Sequence, residues 1–372
     1  MRERASAPAT TGASASVSST PSAPSAPVAS TAADPASSVL RHSGSFTSRA
    51  HRRRYVALVV GLAILSLALS FGVLSWNNPM EFGTEGYWLI AKMRATSLLV
   101  IAVVVTCQAF ATVSFQTAAA NRIITPSIMG FEALYVVLNT AAVFFLGAAG
   151  VTLFTGIPQF FLQVALMVGF SALLYGWLLG GKYGNMHVML LVGVIMGGGL
   201  GSLSTFMQRM LDPSTFDILT ARMFGNISNA RTEYLPYAIP IVILAAGALY
   251  LNARRLNLLA LGRDTATNLG LNHRRDTMIV LLLVSILMAM TTSLVGPMTF
   301  LGFLIATLAY QFTDTYDHRL ILPVAALTGY TVLTAAYFVL RHVFSAQGAV
   351  TIIIEVIGGL TFLIVVMRKG RL

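Results

Sequence analysis

The sequence predicts an all-α polytopic membrane protein of about ten transmembrane helices. Three observations carry that reading. Of the 372 residues, 56% are hydrophobic and only 10% are charged, whereas an ordinary soluble domain carries about 25% charged residues. Two intervals, 133–181 and 277–313, hold no charge at all, and each exceeds the roughly 20 residues that one crossing needs. The basic residues gather at the ends of apolar runs, which is the orientation signal of membrane proteins.

Residues 1–50 are a different material, rich in Ser, Ala, Pro and Thr and nearly free of acid. Such a segment cannot bury enough apolar area to offset its ordering entropy, so a disordered cytoplasmic tail is expected. It has no apolar core of a secretory signal, and an organellar transit peptide is the alternative. The transmembrane domain then covers 51–372. Arg52, Arg53 and Arg54 precede the first span, Tyr55 to about Ser75, and hold the tail inside.

The second span follows Arg94 to about Thr117, and the third runs from near Pro126 to before Gly147. Gly150, Gly156 and Pro158 interrupt the first uncharged interval, so a fourth helix covers about Gln159 to Leu179. The fifth is about His187 to Met210 and the sixth about Tyr234 to Leu251. Gly296 and Pro297 divide the second uncharged interval into a seventh helix and a short eighth. The ninth covers about Leu320 to Leu340, and the tenth about Ile352 to Met367. This count puts both termini in the cytoplasm. Arg122, Lys182, Arg319, Arg368, Lys369, Arg371 and five arginines after the sixth span fall inside with Arg52 to Arg54; only Lys92, Arg94, Arg209, Arg222, Arg231 and Arg341 fall outside.

Several functions are excluded or disfavoured. The net charge of +11 comes from cations at span ends rather than a phosphate-binding stripe, so no nucleic-acid partner is expected. The single cysteine, Cys107, lies in an apolar run and excludes disulfides and cysteine metal sites. No GxxxxGK[ST] occurs, and Gly181-Lys182 is followed by Tyr183, so the chain has no phosphate-cradling loop of that type. An intramembrane enzyme would need paired catalytic groups at helical spacing, and none is found. An ion-coupled transporter would need an embedded charge network. Glu132 and Glu355 are the nearest acids, and their positions near expected helix ends point to interfacial solvation.

Between the sixth and seventh spans, residues 253–275 form a polar island. Leu256 to Leu271 reads LNLLALGRDTATNLGL, and Arg254, Arg255, Arg263, Arg274 and Arg275 lie in or beside it. Its Leu and Ala spacing gives a short helix with one apolar face, which a plain linker does not need.

The island resembles the cytoplasmic coupling loop of the permease subunits of iron-siderophore, haem and cobalamin ABC importers, whose form is LNxLxLGxxxAxxLG. Further matches are NRIITPSIMG at Asn121 to Gly130 against NPLAxPxxLG, and GPMTFLG at Gly296 to Gly302 against GPIGFxG, followed by DHRLILP at Asp317 to Pro323. The resemblance implies a type II ABC importer permease architecture with inverted repeats, the second to fifth helices matching the seventh to tenth. It implies two copies of an ATPase subunit that carry ATP and Mg, a second permease, an extracytoplasmic substrate-binding protein and no cofactor on this chain.

Residue by residue, the resemblance places ATPase coupling on Leu259, Leu261, Gly262, Arg263, Asp264, Leu269 and Gly270. It places the gate at Asn121 and at the turn Asn185, Met186, His187, with helix capping as the plain alternative. Gly197, Gly198, Gly199 and Gly201 would line the pathway; close helix packing explains such glycines equally well. Lys92, Arg94 and Arg341 would meet acidic residues of the binding protein, although Ala91-Lys92-Met93-Arg94 replaces the family's Arg-Leu-Pro-Arg. Two departures, FLIATLAY after GPMTFLG and Phe131-Glu132-Ala133 after Gly130, look like the siderophore branch that works beside a non-identical sister permease. Cobalamin or haem import is the alternative, and an ion-coupled secondary transporter the more distant one.

Overall fold

A computed structural model describes residues 45–46, 48–153, 156–180, 186–223, 227, 230–342 and 350–369. The expected tail lies almost wholly outside them. Its boundary moves slightly, because the first helix, α1 (Arg49–Ser75), already starts at Arg49, where the Ser48 side chain accepts from the His51 amide.

The described residues form twelve further α-helices. These are α2 (Glu85–Ala118), α3 (Phe131–Leu153), α4 (Ile157–Gly180), α5 (Met186–Arg209), α6 (Pro213–Met223) and α7 (Leu235–Leu251). Then follow α8 (Ala253–Leu259), α9 (Arg263–Asn268), α10 (His273–Val295), α11 (Leu301–Thr313), α12 (His318–His342) and α13 (Val350–Lys369). Eight of them are long and apolar enough to cross a membrane. Two shorter apolar helices, Phe131–Gly147 and α11, stand where the third and eighth spans were expected. Ten apolar segments result, in the predicted order.

Three differences have local causes. The second helix starts at Glu85 rather than Arg94, because Thr84 caps it by accepting from the Tyr87 amide. The island is two helices, since Gly262 adopts φ 88 between them, a left-handed conformation that costs glycine little. Helix α6 was not expected; it is short, with Asp217 and other polar residues among its apolar ones.

The centre of the molecule is α2 packed on α10, with α12, α11 and α7 also against α2. From Val100 to Ala118 nearly every α2 residue is buried. Helices α1, α4, α5 and α13 instead keep large apolar side chains exposed, among them Leu67, Phe71, Trp177, Ile195 and Val356. Hydrocarbon or a second subunit suits those faces better than water does.

Each half of the molecule contains one interruption. In the first, Pro126–Met129 forms a single 3-10 turn, and Gly130 at φ 89 releases the chain into α3. A Cβ on Gly130 would lie 3.1 Å from the Cα of Gly197 on α5, so two backbones meet there. In the second, Gly296 to Phe300 separates α10 from α11, and Phe300 sits on Gly358 of α13. A long helix, a break, a short helix and a glycine-bearing helix facing the break thus occur twice, as α2–α5 and α10–α13.

Glu132 joins the two interruptions. Its carboxylate accepts the Met298 amide at 3.2 Å and the Thr299 hydroxyl at 2.6 Å. The residue is buried, which corrects the expectation of interfacial solvation. Glu355, by contrast, is exposed on α13.

Candidate functional site

The island is built from a buried anchor and a projecting tip. On α8, Ala253, Leu256 and Leu259 recur every three residues and are buried against α2, α10 and α12. Arg255 reinforces the seat with a 2.7 Å ion pair to Asp276 at the start of α10. Leu259 is therefore an internal anchor, not the contact residue it was expected to be. Helix α9 packs on α8 and α10 and buries Ala266. Around it Leu261 and Leu269 are 54% and 58% exposed, and Arg263 and Asp264 also face outward. Gly270, at φ 85, turns the chain back to α10. Exposed leucines flanked by charge beside a rigid anchor form a surface fit for a protein partner.

Within the island, Asn257 of α8 reaches the loop before α12. Its amide nitrogen donates to Asp317 at 3.0 Å, and its oxygen accepts the backbone and ring nitrogens of His318 at 2.9 and 2.6 Å. Asp317 also accepts the Ser45 hydroxyl at 2.7 Å and the Arg319 amide at 3.1 Å. Burial opposes its charge, yet the bonds from Asn257, Ser45 and Arg319 prevail and hold the carboxyl below its usual range. Asn257 and Asp317 both lie in motifs quoted above; the sequence offered no sign that the two motifs bond to each other.

The gate residues divide. Asn121 accepts the Ile123 amide at 2.9 Å, an Asx turn that closes the end of α2. It lines a cavity of about 170 Å³ together with Gln116, Thr117, Arg122, Tyr310 and His318. Met186 is half-buried at the start of α5. Asn185 lies outside the described residues, as does the side chain of His187.

The α5 glycines divide as well. Gly197 packs against Gly130, whereas Cβ atoms on Gly198, Gly199 or Gly201 would meet nothing within 4 Å. An open groove of about 480 Å³ runs along this face, lined by Gly198, Gly201, Ser202, Thr205, Phe206 and Arg209. Small and hydroxyl side chains followed by an aromatic and a cation leave room for a bulky, partly polar solute.

At the opposite end from the island, Lys92 and Arg341 are exposed, and Arg341 donates to the Tyr337 hydroxyl at 2.7 Å. Arg94 is not available with them. It is 4% exposed, and its guanidinium donates to the carbonyls of Val73, Leu74, Trp76 and Asn77 at 2.8 to 3.3 Å. A helix leaves its last carbonyls without intrahelical partners, and Arg94 supplies them for α1. The expected surface cation is a buried cap.

Residues 55–368 match the FecCD transport family. The chain belongs to that family. The petrobactin import system permease protein FatC of Bacillus anthracis is 46% identical over 89% of this chain and 94% of its own length. The petrobactin import system permease protein YclO of Bacillus subtilis is 32% identical over 85% of this chain and 98% of its own. A solved metal-chelate type ABC transporter in an inward-facing conformation shares the fold, with a TM-score of 0.70 over 84% of this chain and 99% of that one, at 21% identity. As a FecCD transport protein, the chain is a multi-pass membrane permease and a transport component rather than an enzyme.

Proposed function

We propose that this chain is the permease subunit of an ABC importer that carries a ferric siderophore inward. The observation that carries the reading is its 46% identity with a petrobactin import permease along 89% of the chain. In this reading the protein lies in the bacterial cell membrane with both termini and the island in the cytoplasm. Leu261, Gly262, Arg263, Asp264, Leu269 and Gly270 meet the ATPase, which holds nucleotide and Mg and is present in two copies. Leu259 anchors that surface from within.

A second, non-identical permease faces α5, and the groove at Gly198, Gly199 and Gly201 becomes one wall of the pathway. Asn121 and the start of α5 at Met186 stand at its inner mouth. Lys92 and Arg341 receive the extracytoplasmic binding protein. Exposed cations of this kind steer and orient docking more than they add affinity.

The deciding experiment is reconstitution in liposomes. The chain with its ATPase, sister permease and binding protein should take up the ferric chelate only when ATP is present inside. The chain alone should neither bind ATP nor move the chelate under a proton or sodium gradient. Gradient-driven uptake by the lone chain would overturn the importer reading.

A further inference from the structure

We infer that Asn257 is a positioning residue that transmits movement of the docking surface to the transmembrane helices; this rests on the coupling role proposed for α8 and α9. The apolar seat of α8, formed by Ala253, Leu256 and Leu259, is buried but non-directional. Asn257 supplies direction. A carboxylate only accepts, so the bond to Asp317 fixes the amide nitrogen toward Asp317 and the oxygen toward His318. That oxygen carries no hydrogen, so both His318 nitrogens facing it are donors. The opposite ring nitrogen of His318 lies 2.6 Å from the Thr117 hydroxyl on the last turn of α2. One side chain on the island thereby engages the first turn of α12 and, through His318, the end of α2.

The placement matters because of what those ends control. Thr117 and His318 line the 170 Å³ cavity with Asn121, at the mouth assigned to the gate. Asp317 is the residue on which α12 starts, since its carbonyl accepts from Leu320 and Ile321 and its side chain from Arg319. A displacement of α8 that keeps the Asn257 bonds must carry the start of α12 with it. A displacement that breaks them leaves a buried imidazole and a backbone N–H without acceptors, which is costly. The polar link therefore makes the two positions discrete, where the leucine contacts alone would let α8 slip.

The test uses the complete reconstituted importer with Asn257→Ala, Asn257→Asp, and Asn257→Asp combined with Asp317→Asn. For Asn257→Ala, the ATPase should co-purify normally and hydrolysis should persist, while uptake falls roughly tenfold, within the usual range for coupling between sites. Asn257→Asp alone should fail likewise, because it sets two carboxylates face to face. The double variant restores one acceptor opposite one donor between the two positions but removes the oxygen that the Arg319 amide shares, so uptake should return in part. Hydrolysis and uptake falling in parallel, or no recovery in the double variant, would overturn the proposal.

Hydrogen exchange on the purified permease, without partners, reads the link itself. Asn257→Ala should speed exchange of the His318 amide by about tenfold or more. Unchanged exchange there would overturn the link even if transport fell. If instead the wild-type complex showed no ATP-dependent uptake while the exchange result held, the importer reading would fail and the link would stand.

Discussion

Glu132 Oε2 accepts the Thr299 hydroxyl at 2.6 Å, so one carboxylate at the start of α3 ties down the break between α10 and α11. Replacing Glu132 by Leu would leave that hydroxyl and the Met298 amide without their acceptor, at a cost of about 1–3 kcal/mol. The Glu132→Gln variant keeps an acceptor and should lose less. Thermal unfolding of both variants in detergent checks the order. Equal stability of all three proteins would show that the tie contributes nothing.

Arg94 and Lys92 should behave oppositely although they are two residues apart. Arg94→Ala frees the terminal carbonyls of α1 and should destabilise the protein by about 2 kcal/mol, with binding-protein affinity changing only as folded protein is lost. Lys92→Glu with Arg341→Glu should cost stability only through the lost Arg341 bond to Tyr337, and weaken binding-protein association beyond that, most at low salt where exposed charges are least screened. Titration of the binding protein at two ionic strengths separates the cases.

Charge placed at the projecting tip of the island should remove ATPase association without harm to the fold. Leu261→Glu and Leu269→Glu change side chains that are more than half exposed, and surface substitutions usually stay within about 0.5 kcal/mol. Co-purification of the ATPase reads the effect. Normal ATPase yield and ATP-driven uptake in both variants would place the docking surface elsewhere.

Two sets of glycines should respond differently to a methyl group. At Gly329 a Cβ would lie 2.6 Å from Ile305 and 2.7 Å from Val105, and at Gly302 it would collide with Thr112. Gly329→Ala and Gly302→Ala should therefore destabilise by roughly 1–3 kcal/mol through overpacking. Gly198→Val and Gly201→Val meet open space and should unfold normally, yet narrow the groove and slow uptake. Uptake unchanged by either valine would move the pathway off this face.

Asp317 gives the protein an acid sensitivity with a definite sign. Its carboxyl sits below the ordinary range in the folded chain, so the charged form is favoured by folding. The resulting stabilisation is present above the ordinary carboxylate value of about 3.9 and is lost as pH falls through the lower folded value. Asp317→Asn should reduce the acid-induced drop in unfolding temperature below about pH 4. An identical acid profile would show that the carboxylate charge carries no such linkage.

The apolar runs made the ten apolar segments legible, eight of them long enough to cross, because the length needed to span hydrocarbon is set by the bilayer and the chain must meet it in sequence. The island was equally legible, as a polar interval with its own helical period. Arg94 was misread for a physical reason. A cation near the start of a long helix looks interfacial unless the end of the preceding helix is known to lie beside it, and that contact spans Val73 to Asn77. Asn257 and Asp317 are 60 positions apart, and no periodicity links them. Helix α6 escaped because its polar and apolar residues alternate without a long run.

The two glycine contacts at the breaks have different mechanical characters. Where Gly130 meets Gly197, main chain lies on main chain, and one turn earlier on α5 the Met129 side chain packs on Gly193. Such a contact works as a yielding bearing: the one side chain in the way is an unbranched methionine, which repacks readily as α5 moves. At the second break the Cβ and main chain of Phe300 lie over Gly358 and its ring over Gly359, a key in a keyway, since a rigid ring must leave its seat before α13 can shift. Inverted halves drawn to one plan thus carry unequal compliance, and rearrangement within the subunit falls first to α5, the helix that bears the open groove.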